Sequence, residues 1–131
     1  MTDQTTGLRT AVARARGLGS ARSGSHHWWM QRLTSIALVP LTLWFAVSVI
    51  ALAGADYERV RTWLAEPWSA VLMILLIGAT FHHAAAGMQV IYEDYIHTKW
   101  IRLVVDLATK AACFLLGAYG IVSVLKIAFG G

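Results

Sequence analysis

From Leu33 to Ala53 the chain reads LTSIALVPLTLWFAVSVIALA, 21 residues without a charged side chain. As a helix rising about 1.5 Å per residue, such a run reaches about 31 Å, the thickness of bilayer hydrocarbon. A second uncharged run extends from Ser69 to Tyr92 and encloses His82 and His83. A third begins near Leu103 and ends near Phe129, with Asp106, Lys110 and Lys126 towards its two ends. All three are too long for strands and lack a period of two, so they read as helices. The expected fold class is an all-α membrane protein with three transmembrane helices, spanning about 33–53, 69–92 and 103–129. Pro40 falls within the first span and is expected to bend or loosen that helix, because it cannot donate to the preceding turn.

Composition agrees. Of 131 residues, 57% are apolar and 14% charged, more apolar surface than one soluble core of this size can hide. Chains so rich in apolar side chains are not disordered. One cysteine, Cys113, excludes an internal disulfide and any multi-cysteine metal or iron–sulfur site. Membrane lipid is the expected surrounding, and no nucleic-acid partner is expected.

Residues 1–32 form a basic N-terminal arm, and residues 33–131 form the three-helix anchor. The arm sets Arg9, Arg14, Arg16, Arg22 and Arg32 against Asp3, a balance of +4. The loop at 54–68 sets Asp56, Glu58 and Glu66 against Arg59 and Arg61, a balance of −1. Cytoplasmic flanks collect Lys and Arg, so the arm is expected on the cytoplasmic side, or the matrix side in a mitochondrion. Three spans then carry the C-terminus to the opposite face, and the turn at 93–102 returns to the basic side. The arm has no apolar stretch of a secretory signal. It suits a solvated extension better than a transit peptide, whose Arg-rich, acid-poor make-up it shares.

The second span holds residues that lipid does not favour: FHHAAAGMQVIYEDY, Phe81 to Tyr95. An ionisable group inside a span marks a functional-site candidate, and imidazole is a common axial ligand of haem iron. Adjacent histidines project about 100° apart on a helix, so only one can serve a given axial position. His83 shares its stripe with Ala79, Ala86, Gly87 and Val90, small side chains that admit a close helix or a flat macrocycle. Asp94 lies eleven residues further, on nearly the same face, an alignment His82 lacks. His83 is therefore the better ligand candidate, against the alternative of a histidine hydrogen-bonded between helices. A single histidine makes half of a six-coordinate site, so ligation also requires an axial donor from a partner chain.

At the basic-side end, Tyr95 is either an interfacial belt residue or a phenol donating to a quinone carbonyl, with Asp94 beside it to pass protons. Arg32, at the mouth of the first span, either snorkels to headgroups or clamps a carboxylate such as a haem propionate, and His26 stands six residues before it. Asp106 and Lys110, four apart, suit an intrahelical pair rather than a proton path. Cys113 reads as a small packing residue.

The ordered set is His26 six before Arg32, then His83, Gly87 four later and Asp94-Tyr95 eleven and twelve later. It resembles the hydrophobic membrane-anchor family of succinate dehydrogenase (respiratory complex II), over roughly residues 23–129. The resemblance implies a haem-binding helical bundle shared with a partner anchor of the cytochrome b556 type, and one haem b between the two. It makes His83 an axial ligand of the haem iron, and His26 and Arg32 neighbours of the haem propionates. Tyr95 becomes the hydrogen-bond donor to ubiquinone and Asp94 its acidic neighbour. It also implies two further partners on the basic side, an iron–sulfur protein and a flavoprotein. The membrane would be the bacterial inner membrane, with the mitochondrial inner membrane as the alternative. A trimer of such complexes is one admissible assembly.

The expected function is thus a non-catalytic anchor of a succinate:quinone oxidoreductase, inactive alone, since the chain has neither a nucleotide-binding glycine loop nor a cluster-binding cysteine set. Two rival expectations are a haem-free structural helper of another membrane complex and a small proton carrier using Asp106, Lys110 and the histidines.

Overall fold

The computed structural model describes residues 22–130, and every regular element among them is an α-helix. Helix α1 covers Arg22–Ala51, α2 Tyr57–Ala65, α3 Pro67–Tyr95 and α4 Lys99–Ala128. Of the basic arm, residues 1–21, with Arg9, Arg14 and Arg16, lie outside the described residues. Residues 22–32 are helical and continuous with the first span. Stretches of 24, 29 and 30 residues in α1, α3 and α4 (Trp28–Ala51, Pro67–Tyr95 and Lys99–Ala128) are long and apolar enough to cross a membrane. Each exceeds the uncharged run that announced it at one end or both. Charge marks the hydrocarbon slab, whereas backbone hydrogen bonding carries a helix on into the headgroup layer.

The chain separates into two units, Met1–Met30 and Gln31–Gly131. In the first, Trp28 and Trp29 are exposed and meet edge to face, their ring centroids 5.2 Å apart. In the second, α1 stays helical through Pro40. It ends in a turn where Ala55 N–H donates to Leu52 O at 2.9 Å and Gly54 takes φ +78°, a conformation a side chain would disfavour.

Where the sequence alone indicates a loop, the short helix α2 forms. Asp56 caps it by accepting from Arg59 N–H at 2.9 Å, and Glu58 and Arg61 pair loosely at 3.8 Å. Trp63 of α2 stacks on Trp44 of α1, centroids 5.7 Å apart and planes 23° from parallel. Pro67 then opens α3 at the position where its missing N–H has no helical partner in any case.

Helices α3 and α4 form an antiparallel pair whose closeness rests on glycine. A Cβ on Gly117 would stand 3.4 Å from the Phe81 ring, and one on Gly120 would stand 3.4 Å from Ile77. The buried apolar side chains among the described residues are few: Ala70, Leu76, Ala86, Tyr92 and Val124. Large side chains such as Ile36, Leu43, Leu107 and Phe114 face outwards instead. That inverted pattern suits a chain surrounded by acyl tails and neighbouring helices rather than water.

Candidate functional site

Two polar clusters join the helices. The first ties α1 to α3. Thr34 Oγ1 lies 3.2 Å from His83 Nδ1 and 3.0 Å from the carbonyl oxygen of Gln31, one turn back on its own helix. The back-bond to a helix carbonyl is a favoured threonine arrangement, and it fixes where the hydroxyl stands. Gln31 reaches towards α3, where its amide nitrogen is the nearest atom, at 3.8 Å, to the place of a Cβ on Gly87. Its Oε1 is buried and meets no hydrogen-bond partner. His83 is half-buried, Ala86 buried and Val90 exposed, so the small-residue stripe begins against α1 and ends at the surface. His82 points elsewhere and is exposed. It borders an apolar cavity of about 330 Å³ with Phe81, Ala85, Lys110, Cys113 and Phe114.

The second cluster ties α3 to α4. Tyr92, 4% exposed, donates its hydroxyl to Asp106 Oδ1 at 2.5 Å. Lys110 holds the same carboxylate, with Nζ 2.8 Å from Oδ1 and 3.0 Å from Oδ2. The intrahelical pair expected from the four-residue spacing is present. Its third member, Tyr92, escapes sequence reasoning because a phenol among apolar residues gives no sign of which helix it faces. Towards the basic-side helix ends, Gln89, Tyr92, Glu93, Lys99, Arg102 and Asp106 line a polar cavity of about 330 Å³. Gln89 Nε2 donates to Glu93 Oε1 at 2.8 Å along its rim.

The remaining candidates stand at the surface. Tyr95 is the last residue of α3 and 80% exposed, with Asp94 exposed beside it. Arg32 is exposed on α1, and His26 is exposed in the N-terminal unit. Cys113 is a free, half-buried cysteine.

His83 has a hydrogen-bond partner on another helix, Thr34, whose spacing in the sequence does not single it out as a partner of the histidine. A threonine two residues beyond an arginine looks like ordinary span composition, and the partner emerges only when α1 is laid against α3. Among the described residues no three His, Cys, Asp or Glu side chains converge, so an all-protein metal cage has no candidate there. Among the residues whose burial is described, one imidazole is half-buried, His83, and its Nδ1 faces Thr34.

Residues 6–117 match the family described as succinate dehydrogenase/fumarate reductase transmembrane subunit. The chain is similar to the succinate dehydrogenase hydrophobic membrane anchor subunit of Rickettsia bellii, 35% identical over 103 residues, covering 79% of this chain and 82% of that one. The protein of the same name from Rickettsia conorii is 30% identical over 109 residues, 82% of this chain and 86% of its own. The succinate dehydrogenase membrane anchor subunit of Reclinomonas americana is 33% identical over 86 residues, 63% of this chain and 72% of its own. With three membrane-spanning helices and a family match over most of its length, the chain belongs to the succinate dehydrogenase/fumarate reductase transmembrane subunits.

Proposed function

We propose that this chain is the hydrophobic membrane anchor of a succinate:quinone oxidoreductase, supplying one axial ligand to a haem b and part of a ubiquinone-reduction niche. Its partners in this reading are a second anchor of the cytochrome b556 type, an iron–sulfur protein and a flavoprotein. The chain has no catalytic residue of its own and is inactive alone. The compartment is the bacterial inner membrane, with the N-terminus cytoplasmic.

The observation that carries the reading is His83, half-buried within a span and held at Nδ1 by Thr34 at 3.2 Å. An imidazole fixed through one nitrogen presents the other as a lone pair of defined direction, as haem ligation requires. Gly87, one turn on, meets the end of the Gln31 side chain in ordinary van der Waals contact, 3.8 Å from the place of its Cβ, so a flat group enters beside His83 by displacing that flexible side chain. His83 Nε2 would hold the iron and Arg32, exposed on the same unit, would meet a propionate; the propionate role of His26 rests on the resemblance in sequence. When bound, the haem supplies a one-electron acceptor.

The quinone part rests on Tyr95 and Asp94. Both are exposed at the basic-side end of α3, where a ring can stay among acyl tails while its carbonyl meets water. Tyr95 Oη would donate to that carbonyl, and Asp94 would relay protons to its reduced form. The test is the reduced-minus-oxidised spectrum of the purified complex in wild type, His83→Ala and His82→Ala. Loss or displacement of the b-type bands in His83→Ala alone is the expected result. The same loss in His82→Ala instead would move the ligand to the outward-facing ring, and no change in either would remove haem ligation from this chain.

A further inference from the structure

We infer that Thr34 is a positioning residue for His83: its hydroxyl accepts the Nδ1 proton, fixes the ring's tautomer and plane, and thereby sets the donor strength of Nε2. The inference rests on the haem reading of His83. The direction of the bond is assigned from the threonine's back-bond. A threonine hydroxyl has one proton and two lone pairs. We assign that proton to the Gln31 carbonyl, 3.0 Å away on the same helix and shared with Ser35 Oγ at 2.8 Å, which leaves the lone pairs to face His83 at 3.2 Å. The Nδ1–H of a neutral imidazole then donates to Thr34, and Nε2 is the unprotonated nitrogen. The opposite tautomer would place a proton on Nε2 and bar it from a metal.

The bond also orients the ring. His83 belongs to α3 and Thr34 to α1, so the imidazole plane is referred to a second helix rather than left to its own side-chain torsions. Thr34 itself is held by its back-bond, and its χ1 is stiff because its Cβ is branched. Metal-ligating histidines characteristically donate their second N–H to a neighbouring acceptor, which raises their basicity. A hydroxyl is a milder acceptor than a carboxylate, so the effect on metal affinity belongs at the lower end of the range for such partners, about tenfold, and we assign it to the ferric state, which depends more on a strong imidazole donor. An imidazole that donates more strongly favours the ferric state. Removing the acceptor therefore lowers the ferric-to-ferrous ratio at the wild-type midpoint.

The experiment uses the assembled complex carrying Thr34→Val, Thr34→Ala or Thr34→Ser, with His83→Ala alongside. The readouts are haem midpoint potential by redox titration and the low-spin ferric EPR signal. Thr34→Val and Thr34→Ala are expected to raise the potential by about 59 mV, a tenfold change in ratio for one electron, and to shift the EPR g values. Thr34→Ser, which keeps the hydroxyl, is expected to return both to wild type. Loss of haem from both hydroxyl-free variants, with retention in Thr34→Ser, supports the same role. Wild-type potential and EPR signal in Thr34→Val and Thr34→Ala overturn the inference, as does a serine variant that behaves like valine. The His83→Ala complex separates the two claims. If it loses haem while the threonine series is silent, only the Thr34 role falls. If it keeps the wild-type haem spectrum, the haem reading falls first.

Discussion

Replacing Tyr92 with phenylalanine removes one oxygen from the contact between α3 and α4 and leaves the ring in place. That oxygen donates to Asp106, a carboxylate also held by Lys110 at 2.8 Å. A hydrogen bond to a charged group is worth about 1.5–3 kcal/mol in soluble proteins. Between helices in a membrane, measured values average about 0.6 and reach about 1.7 kcal/mol. Asp106 keeps Lys110, and 27% of its side chain is exposed, so part of the loss is made good by that cation and by water or headgroups. The expected cost of Tyr92→Phe is therefore about 1 kcal/mol. Asp106→Ala is more severe, because it leaves an ammonium without its acid inside a span. Lys110 is 47% exposed and can extend its stem towards the headgroups, so we expect about 2 kcal/mol rather than the 3–5 typical of a broken buried pair. Asp106→Ala combined with Lys110→Met should cost less than Asp106→Ala alone, since no charge is then stranded. The assay is an SDS-unfolding titration of the complex in mild detergent micelles, read by tryptophan fluorescence for each variant and the double variant. A Tyr92→Phe midpoint equal to wild type, or a double variant as unstable as Asp106→Ala, would refute the idea that these three side chains act as one tie.

Three further outcomes are expected. Gly117→Leu should lower the stability of the complex by about 1–3 kcal/mol in the same titration, because even a Cβ there already touches the Phe81 ring at 3.4 Å. Asp56→Ala removes the side-chain cap of α2 and should cost about 1 kcal/mol locally, seen as faster amide exchange at Arg59 without loss of assembly. Tyr95→Phe should raise the KM for ubiquinone about tenfold, the worth of one hydrogen bond of about 1.4 kcal/mol, while leaving the haem spectrum unchanged. An unaltered quinone KM would take Tyr95 out of the niche.

The three spans were legible because uncharged length is a property of consecutive residues, and a run of 21 from Leu33 to Ala53 fits little besides a membrane helix. The short helix α2 was not. Its nine residues follow Asp56 and include Glu58, acids typical of a loop, and its stability depends on Trp63 meeting Trp44, a contact between elements. The same division runs through the polar clusters. Asp106 and Lys110 announce each other by their spacing along one helix. Tyr92 and Thr34 join through contacts with residues 14 and 49 positions away, which no local pattern encodes. His83 was separated from His82 by the stripe of Ala79, Ala86 and Gly87. In the structure the two rings do face different surroundings, one against Thr34 and one exposed beside an apolar cavity.

Within the second unit, the contacts that fasten α1 to its neighbours include two of different kind: Thr34 with His83, and Trp44 with Trp63. Between and beyond them its outward face is a strip of Ile36, Val39, Leu43 and Val47, all exposed. When one of those two contacts opens, the other still holds the helix at a short reach, so re-docking is an intramolecular event at high effective concentration. Stacked indoles tolerate small slides of one ring over the other, whereas a hydroxyl-to-imidazole bond at 3.2 Å does not tolerate even an ångström of drift. A small axial shift of α1 would be absorbed at the tryptophans and registered at the histidine.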